Sequence, residues 1–343
     1  MTRVSSWLKG RCANWLLAVV SVALTFGALE VAARGYARIK FGSASRAILW
    51  SFKYQPFLMA GTHPQATLPR PPKGQAYRVL LVGGSTAAVL PGEELSNAMS
   101  RVIGRPVEVI NVAQGGHILN QERISLLLYG LKLRPDLLVT LDGYNDFLYV
   151  TKTGRPGIPY ANDYLALAVA HPALNGLFGL LRGSQLVNSL HKLKERAIER
   201  RNQRDSRLLE ATIDHLQEAQ WSISTMAHGL GVPHVMVVQP YLFLRRNPIP
   251  QELAAAAPWQ YRRAFFCEAL NRLVARLRSA SPGFPAKTYF VDGTSAFDAS
   301  TEPCFIDECH LTPMGNRLLC AHIASSMISQ GFAGGDSSVR ASH

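Results

Sequence analysis

Apolar residues recur along this chain in three rhythms, and each predicts a different element. From Ala13 to Leu29 they run for 17 residues without a charge, at the lower limit for a membrane-spanning helix. Farther on come short apolar runs that stop near glycines. These are Arg78 to Val82 (RVLLV) before Gly83-Gly84, Pro106 to Val112 (PVEVINV) before Gly115 and Gly116, and Asp136 to Leu141 (DLLVTL) before Gly143. Runs of this length, rich in β-branched residues, read as buried strands. The third rhythm fills the gaps from Glu93 to Ile103 and from Gln121 to Leu131 and predicts helices. A fourth strand is expected at Pro233 to Val238 (PHVMVV), after a long helix from Ser206 to Leu230. A fifth is expected at Lys287 to Val291 (KTYFV), after an Ala-rich helical stretch from Gln251 to Ala280. Thr312 and Pro313 supply an N-cap and a first helical residue for a last helix reaching about Ser329. Strands alternating with helices predict an α/β fold, a three-layer α/β/α sandwich around a parallel sheet of about five strands.

Two stretches depart from the alternation. Residues 41–77 are a Pro-rich linker (Pro64, Pro69, Pro71, Pro72) between the N-terminal segment, 1–40, and one large domain, 78–330. Within that domain Phe147 to Asp205 shows no strand pattern and reads as a helical insertion. Its Lys192, Lys194, Arg196, Arg200, Arg201 and Arg204 interleave with Glu195 and Glu199, a solvated helix face or a substrate-side or membrane-facing cap. Residues 331–343 (GFAGGDSSVRASH) have the composition of a flexible tail.

Charge changes the picture at the N-terminus. The net charge of +13 suggests an anionic partner only if it is spread over a folded face. It is not, because residues 1–77 hold ten Lys or Arg against the single acid Glu30. Basic residues around an apolar run fit membrane flanks, and no zinc-finger or RNP-type motif argues for nucleic acid. The segment is then an uncleaved anchor, with Trp7, Trp15 and Tyr36 suited to interfacial belts and Glu30 pairing with Arg34, or a cleaved signal peptide ending at Val31-Ala32-Ala33. Basic residues on both sides leave its orientation undecided by charge, and its signal-like N-terminal position puts the large domain outside the cytoplasm. Cys12, Cys267, Cys304, Cys309 and Cys320 fit no metal-site spacing. In an exported domain Cys267 can bridge to Cys304 or Cys309, or the sulfurs are small buried thiols.

The candidate chemistry collects where the strands end. Ser85 follows the first strand, Gly116 the second and Asn145 the third, while His310 precedes the last helix. A serine hydroxyl is a weak nucleophile that needs a base in hydrogen-bond reach and a group to orient that base. Asp307, three residues before His310, has the spacing to hold one imidazole nitrogen while the other faces Ser85. Backbone amides of Ser85 and Gly116 and the side chain of Asn145 supply donors for an oxyanion. Asp146, Asp292 and Asp298 are alternatives to Asp307 without its spacing, and His117 suits a structural role. Singly, each of these has an ordinary reading: Gly83-Gly84-Ser85 as a turn or a phosphate-binding loop, Gly143 to Asp146 as a turn, His310 as a packed histidine.

Four blocks together resemble the SGNH (GDSL-type) hydrolase superfamily: Gly83-Gly84-Ser85-Thr86, Asn111 to Gly116 (NVAQGG), Gly143-Tyr144-Asn145-Asp146 and Asp307 to His310 (DECH). The resemblance implies a flavodoxin-like sandwich in which Ser85, Asp307 and His310 form a triad and Ser85, Gly116 and Asn145 the oxyanion donors. It implies ester hydrolysis through an acyl-enzyme, without cofactor or metal. With an anchor and export, the expected substrates are cell-envelope or polysaccharide O-acyl esters. An O-acyltransferase acting on an exported glycan uses the same triad, and a non-catalytic membrane-tethered scaffold is a further reading that five retained site residues oppose. Two positions depart from the pattern: Gly84 stands where the superfamily has Asp, and Ala113 where it has Gly.

Overall fold

The computed structural model describes residues 2–41, 58, 75–159 and 184–332. Most of the expected linker, the centre of the expected insertion and the tail beyond Phe332 lie outside the described residues. The chain divides into two compact units, one made of Met1–Ser51 and Asp163–Ile198, the other of Phe52–Asn162 and Glu199–His343.

The first unit contains α1 (Thr2–Phe41) and the start of α6 (Gln185–Asn202). Within α1, Leu17–Tyr36 has a mean hydropathy of 1.7, is exposed, and is long and apolar enough to cross a bilayer. Arg34 Nε meets Glu30 Oε1 at 2.8 Å, the one-turn pair expected from the sequence.

The second unit is built on a sheet of β1 (Tyr77–Gly83), β2 (Val107–Asn111), β3 (Leu137–Asp142), β4 (His234–Val238) and β5 (Thr288–Asp292). All pairings are parallel and the order is β2-β1-β3-β4-β5, the flavodoxin-like order. Every residue of β1, β3 and β4 is buried. That is why these strands read as unbroken apolar runs: a parallel sheet is covered on both faces. One cover pairs α3 (Gly92–Ile103) with α10 (Pro313–Ser329). The other groups α4 (Leu119–Ser125), α5 (Tyr144–Thr153), α7 (Ser206–Gly229) and α9 (Arg263–Ala280). The chain leaves β1 for β2 on one side and returns as β3 on the other, so the carboxyl ends of β1 and β3 flank the crevice where such sheets bind ligands.

Two expected helices take a different form. Gln121 to Leu131 is not one helix: α4 runs from Leu119 to Ser125 and widens into a π turn, Leu126–Gly130, and a 3-10 turn, Leu131–Leu133. Here the chain hugs the sheet, since a Cβ at Gly130 would fall 2.9 Å from Leu80 Cδ2. The Ala-rich stretch splits into α8 (Pro250–Ala256), a 3-10 segment Ala257–Arg262, and α9. Pro258 lies in the break, where its missing N–H and its ring prevent a continuous helix.

The disulfide allowed by the sequence is not formed, and Cys267, Cys304, Cys309 and Cys320 are all free thiols. Each candidate sulfur faces a local partner instead. Cys267 Sγ meets the Phe243 carbonyl at 3.5 Å, Cys304 Sγ the Glu302 carbonyl at 3.3 Å, and Cys309 Sγ lies 3.6 Å from His310 Nδ1.

Candidate active site

β1 ends in a turn that only glycine allows. Gly83 has φ +158° and a Cβ there would fall 2.7 Å from the Leu141 carbonyl oxygen, while a Cβ on Gly84 would collide with Asn145 Nδ2. The chain then enters α2 (Ser85–Ala88), with Ser85 as its first residue. Gly84 thus leaves room for the Asn145 amide to approach the turn closely.

The His310 loop closes on itself. Phe305 and Leu311 form an antiparallel bridge, and the Ile306 N–H donates to the His310 carbonyl at 3.0 Å. Thr312 caps α10 through Oγ, which accepts from the Gly315 N–H at 3.1 Å. These contacts fix His310 between two partners. Its Nε2 lies 2.8 Å from Ser85 Oγ and its Nδ1 2.7 Å from Asp307 Oδ2. The carboxylate accepts Nδ1–H, which leaves Nε2 to accept the serine proton. Asp307 Oδ1 also accepts the backbone N–H of Cys309 at 2.9 Å and of His310 at 2.7 Å.

The electrostatics follow from that geometry. The Asp307 hydrogen bond raises the His310 pKa, outweighing burial. Burial pushes the Asp307 carboxyl up, but the hydrogen bonds from His310 and from two backbone amides together bring it below its ordinary value. Burial pushes up the neighbouring Cys309 thiol, and the nearby Glu308 and Asp307 charges add to this, so it stays protonated. Among the described residues, Asp307, Cys309 and His310 are a group of metal-ligating types within 4.8 Å of one another. The imidazole of that group is already held at both nitrogens, by Asp307 and Ser85.

The other two blocks meet the Ser85 turn from the far side of the crevice. Gly116 has φ +78°, and a Cβ on it would fall 2.9 Å from the Tyr149 hydroxyl. The Gln114 N–H donates to the Gly83 carbonyl at 3.0 Å, tying this loop to the end of β1. Asn145 Nδ2 donates to the His117 carbonyl at 2.8 Å; an amide nitrogen carries two hydrogens, so one remains for a ligand. His117 acts here through its backbone, with its ring buried. The structure therefore brings together Ser85, Asp307 and His310, and sets Asn145 beside Gly84 and the Gly116 loop against β1.

Residues that the sequence pattern did not single out hold these parts in register. Thr86 Oγ donates to the Cys309 carbonyl at 3.2 Å, linking the serine turn to the histidine loop. Tyr144 OH donates to Glu308 Oε1 at 2.6 Å, linking the asparagine turn to the same loop. Behind them, Glu122, Asp142 and Asp146 are buried carboxyls. Asp146 accepts the Leu119 N–H at 3.3 Å, and Asp142 Oδ2 accepts Gln220 Nε2 at 3.3 Å. Burial raises all three, Asp142 to about 6. Asp146 is thus a brace between α4 and α5. Asp292 pairs with Arg278 at 2.8 Å and Asp298 with Arg246 at 3.0 Å, so neither faces His310.

No protein-family profile and no curated protein matches the chain. Solved structures similar to it include a candidate acylhydrolase of Bacteroides fragilis, 16% identical, covering 78% of this chain and 93% of that one, with a TM-score of 0.40. An acetyl xylan esterase is 13% identical, with 74% and 100% covered and a TM-score of 0.42. A variant acetyl-xylooligosaccharide esterase from Geobacillus is 11% identical, with 77% and 99% covered and a TM-score of 0.42. At these identities and scores the chemistry of the site rests on its own geometry.

Proposed function

We propose that the chain is a serine-dependent ester hydrolase of the SGNH type. One observation carries the reading: His310 bridges Ser85 at 2.8 Å and Asp307 at 2.7 Å. Ser85 Oγ attacks the ester carbonyl as its proton passes to His310 Nε2, and Asp307 stabilises the imidazolium. Amides of Ser85, Gly116 and Asn145 receive the oxyanion. The alcohol departs with the proton from Nε2, and a water deprotonated by the same nitrogen releases the acid.

The esters that suit this site are those displayed on a large alcohol, such as O-acyl groups of a cell-envelope polysaccharide. Ser85 and His310 are only half-buried, which suits a bulky substrate at an open site. The exposed apolar run of α1 supports a role as membrane anchor. The purified chain is expected to hydrolyse p-nitrophenyl acetate, and Ser85→Ala to lower kcat/KM by ~10³-fold or more. Equal rates would remove Ser85 as the nucleophile.

A further inference from the structure

The first unit presents a surface that ester chemistry leaves unexplained. α6 places Leu186, Leu190, Leu193 and Ala197 four, three and four residues apart. At ~100° per residue these side chains share a stripe about 60° wide along the helix. Leu190 is 57% exposed and Leu193 62%. Lys194 and Arg196, both exposed, flank the stripe on its two sides, and Glu195 falls on the opposite face. An apolar centre with basic edges and acids behind is the pattern of a helix lying in a bilayer surface, its long cationic side chains reaching toward phosphates.

The start of α6 is joined to the end of the apolar run in α1. Ser184 Oγ donates to Glu30 Oε2 at 2.7 Å, and the N–H groups of Gln185 and Leu186 donate to the same carboxylate at 2.8 and 2.9 Å. Glu30 directly follows the uncharged run Ala13–Leu29. At ~1.5 Å per residue that run spans roughly the hydrocarbon thickness. Glu30, paired with Arg34, lies in the last two turns of the Leu17–Tyr36 run, and α6 begins beside this end of the anchor.

We propose that α6 docks on an anionic phospholipid surface, with Leu190 and Leu193 in the headgroup–acyl boundary and Lys194 and Arg196 on lipid phosphates. The docking rests on α1 being the membrane anchor. Continuity with the anchor and the basic edges of the stripe select this occupant over a second copy of the chain.

The full chain carrying Leu193→Cys with a nitroxide tests it, in vesicles of phosphatidylcholine alone or mixed with phosphatidylglycerol, after subtracting the label on the unsubstituted chain. In the anionic vesicles the label is expected to lose collisions with a water-soluble nickel chelate and gain collisions with oxygen. Adding Lys194→Glu and Arg196→Glu is expected to abolish that difference, while a label at His191→Cys, exposed and well off the stripe, stays in water. A Leu193 label equally wet in both vesicles overturns the docking, and equal shielding in both overturns its anionic character. Shielding that persists in detergent and grows with protein concentration assigns the stripe to a second copy. A carbonate wash separates the failures: release of the chain overturns anchor and docking together, whereas retention with a wet label overturns the docking alone.

Discussion

Asp307 and Asp142 are the same residue type in the same unit, yet their proton affinities shift in opposite directions. Asp307 is partly buried and receives three hydrogen bonds, from His310 Nδ1 and two backbone amides, which keep it ionised. Asp142 is fully buried, and the hydrogen bonds it receives from Gln220 Nε2 at 3.3 Å, from Glu122 and from Thr140 do not offset that burial. Burial therefore raises it to about 6. Both carboxyls receive hydrogen bonds, so the balance with burial decides the direction: donors outweigh the partial burial of Asp307 but not the complete burial of Asp142.

Amide substitution breaks this comparison most sharply. Asp307→Asn is expected to lower kcat/KM on p-nitrophenyl acetate by ~10⁴-fold, because the imidazole loses the acceptor that fixes its tautomer. Asp142→Asn preserves the shape of a buried side chain that contacts neither Ser85 nor His310, so steady-state rates within about tenfold of the parent are expected. A loss at Asp142 as large as that at Asp307 would show that the buried acid takes part in catalysis.

Next in size is Asn145→Ala. In the proposed mechanism Asn145 donates to the oxyanion, and its loss is expected to lower kcat by ~10²–10³-fold with little change in KM. A fall in KM-based affinity alone would make Asn145 a substrate-binding group.

The buried acids are sharpened by pH. In the unfolded chain Glu122 and Asp142 lose their protons near their ordinary values, whereas the fold retains them to higher pH. The stability of the protonated cluster is fully present below the ordinary carboxyl range and is lost as pH rises through the raised folded values. Gln at position 122 ionises in neither state. Glu122→Gln should therefore match the parent in urea unfolding near pH 4 and exceed it by ~1–3 kcal/mol above pH 6. A variant less stable than the parent at high pH would contradict the raised acids.

The smallest effect is a shift in the pH profile. His310 must be neutral to accept the serine proton, and Asp307 raises it above its ordinary 6.5. The acid limb of kcat/KM is expected to rise through a single ionisation above that value. A limb at or below it would mean that the Asp307 contact is absent in the working enzyme.

Strands were legible in the sequence because β1, β3 and β4 are buried on both faces and show as plain apolar runs ending at Gly83, Gly143 and the carboxyl edge. The serine, asparagine and histidine blocks were legible as polar residues at those strand ends. Helix continuity was harder. Pro258 interrupts a stretch whose alanine content reads as helix, and Gly130 follows a widened turn set by contact with Leu80. The braces were not legible at all, since Thr86, Tyr144 and Glu308 become partners only when loops more than 100 residues apart meet. The acid cluster is equally silent, because nothing in the spacing of Glu122, Asp142 and Asp146 reveals that one interior receives all three.

The central claim is that Ser85 is activated by His310. Its most direct measurement is labelling of the full chain with a fluorophosphonate probe, with the adduct located by peptide mass spectrometry. One adduct is expected, on Ser85, that is lost in His310→Ala and weakens as His310 becomes protonated at low pH. A folded, ester-hydrolysing chain that carries no adduct on Ser85, or an adduct on another residue, would contradict it.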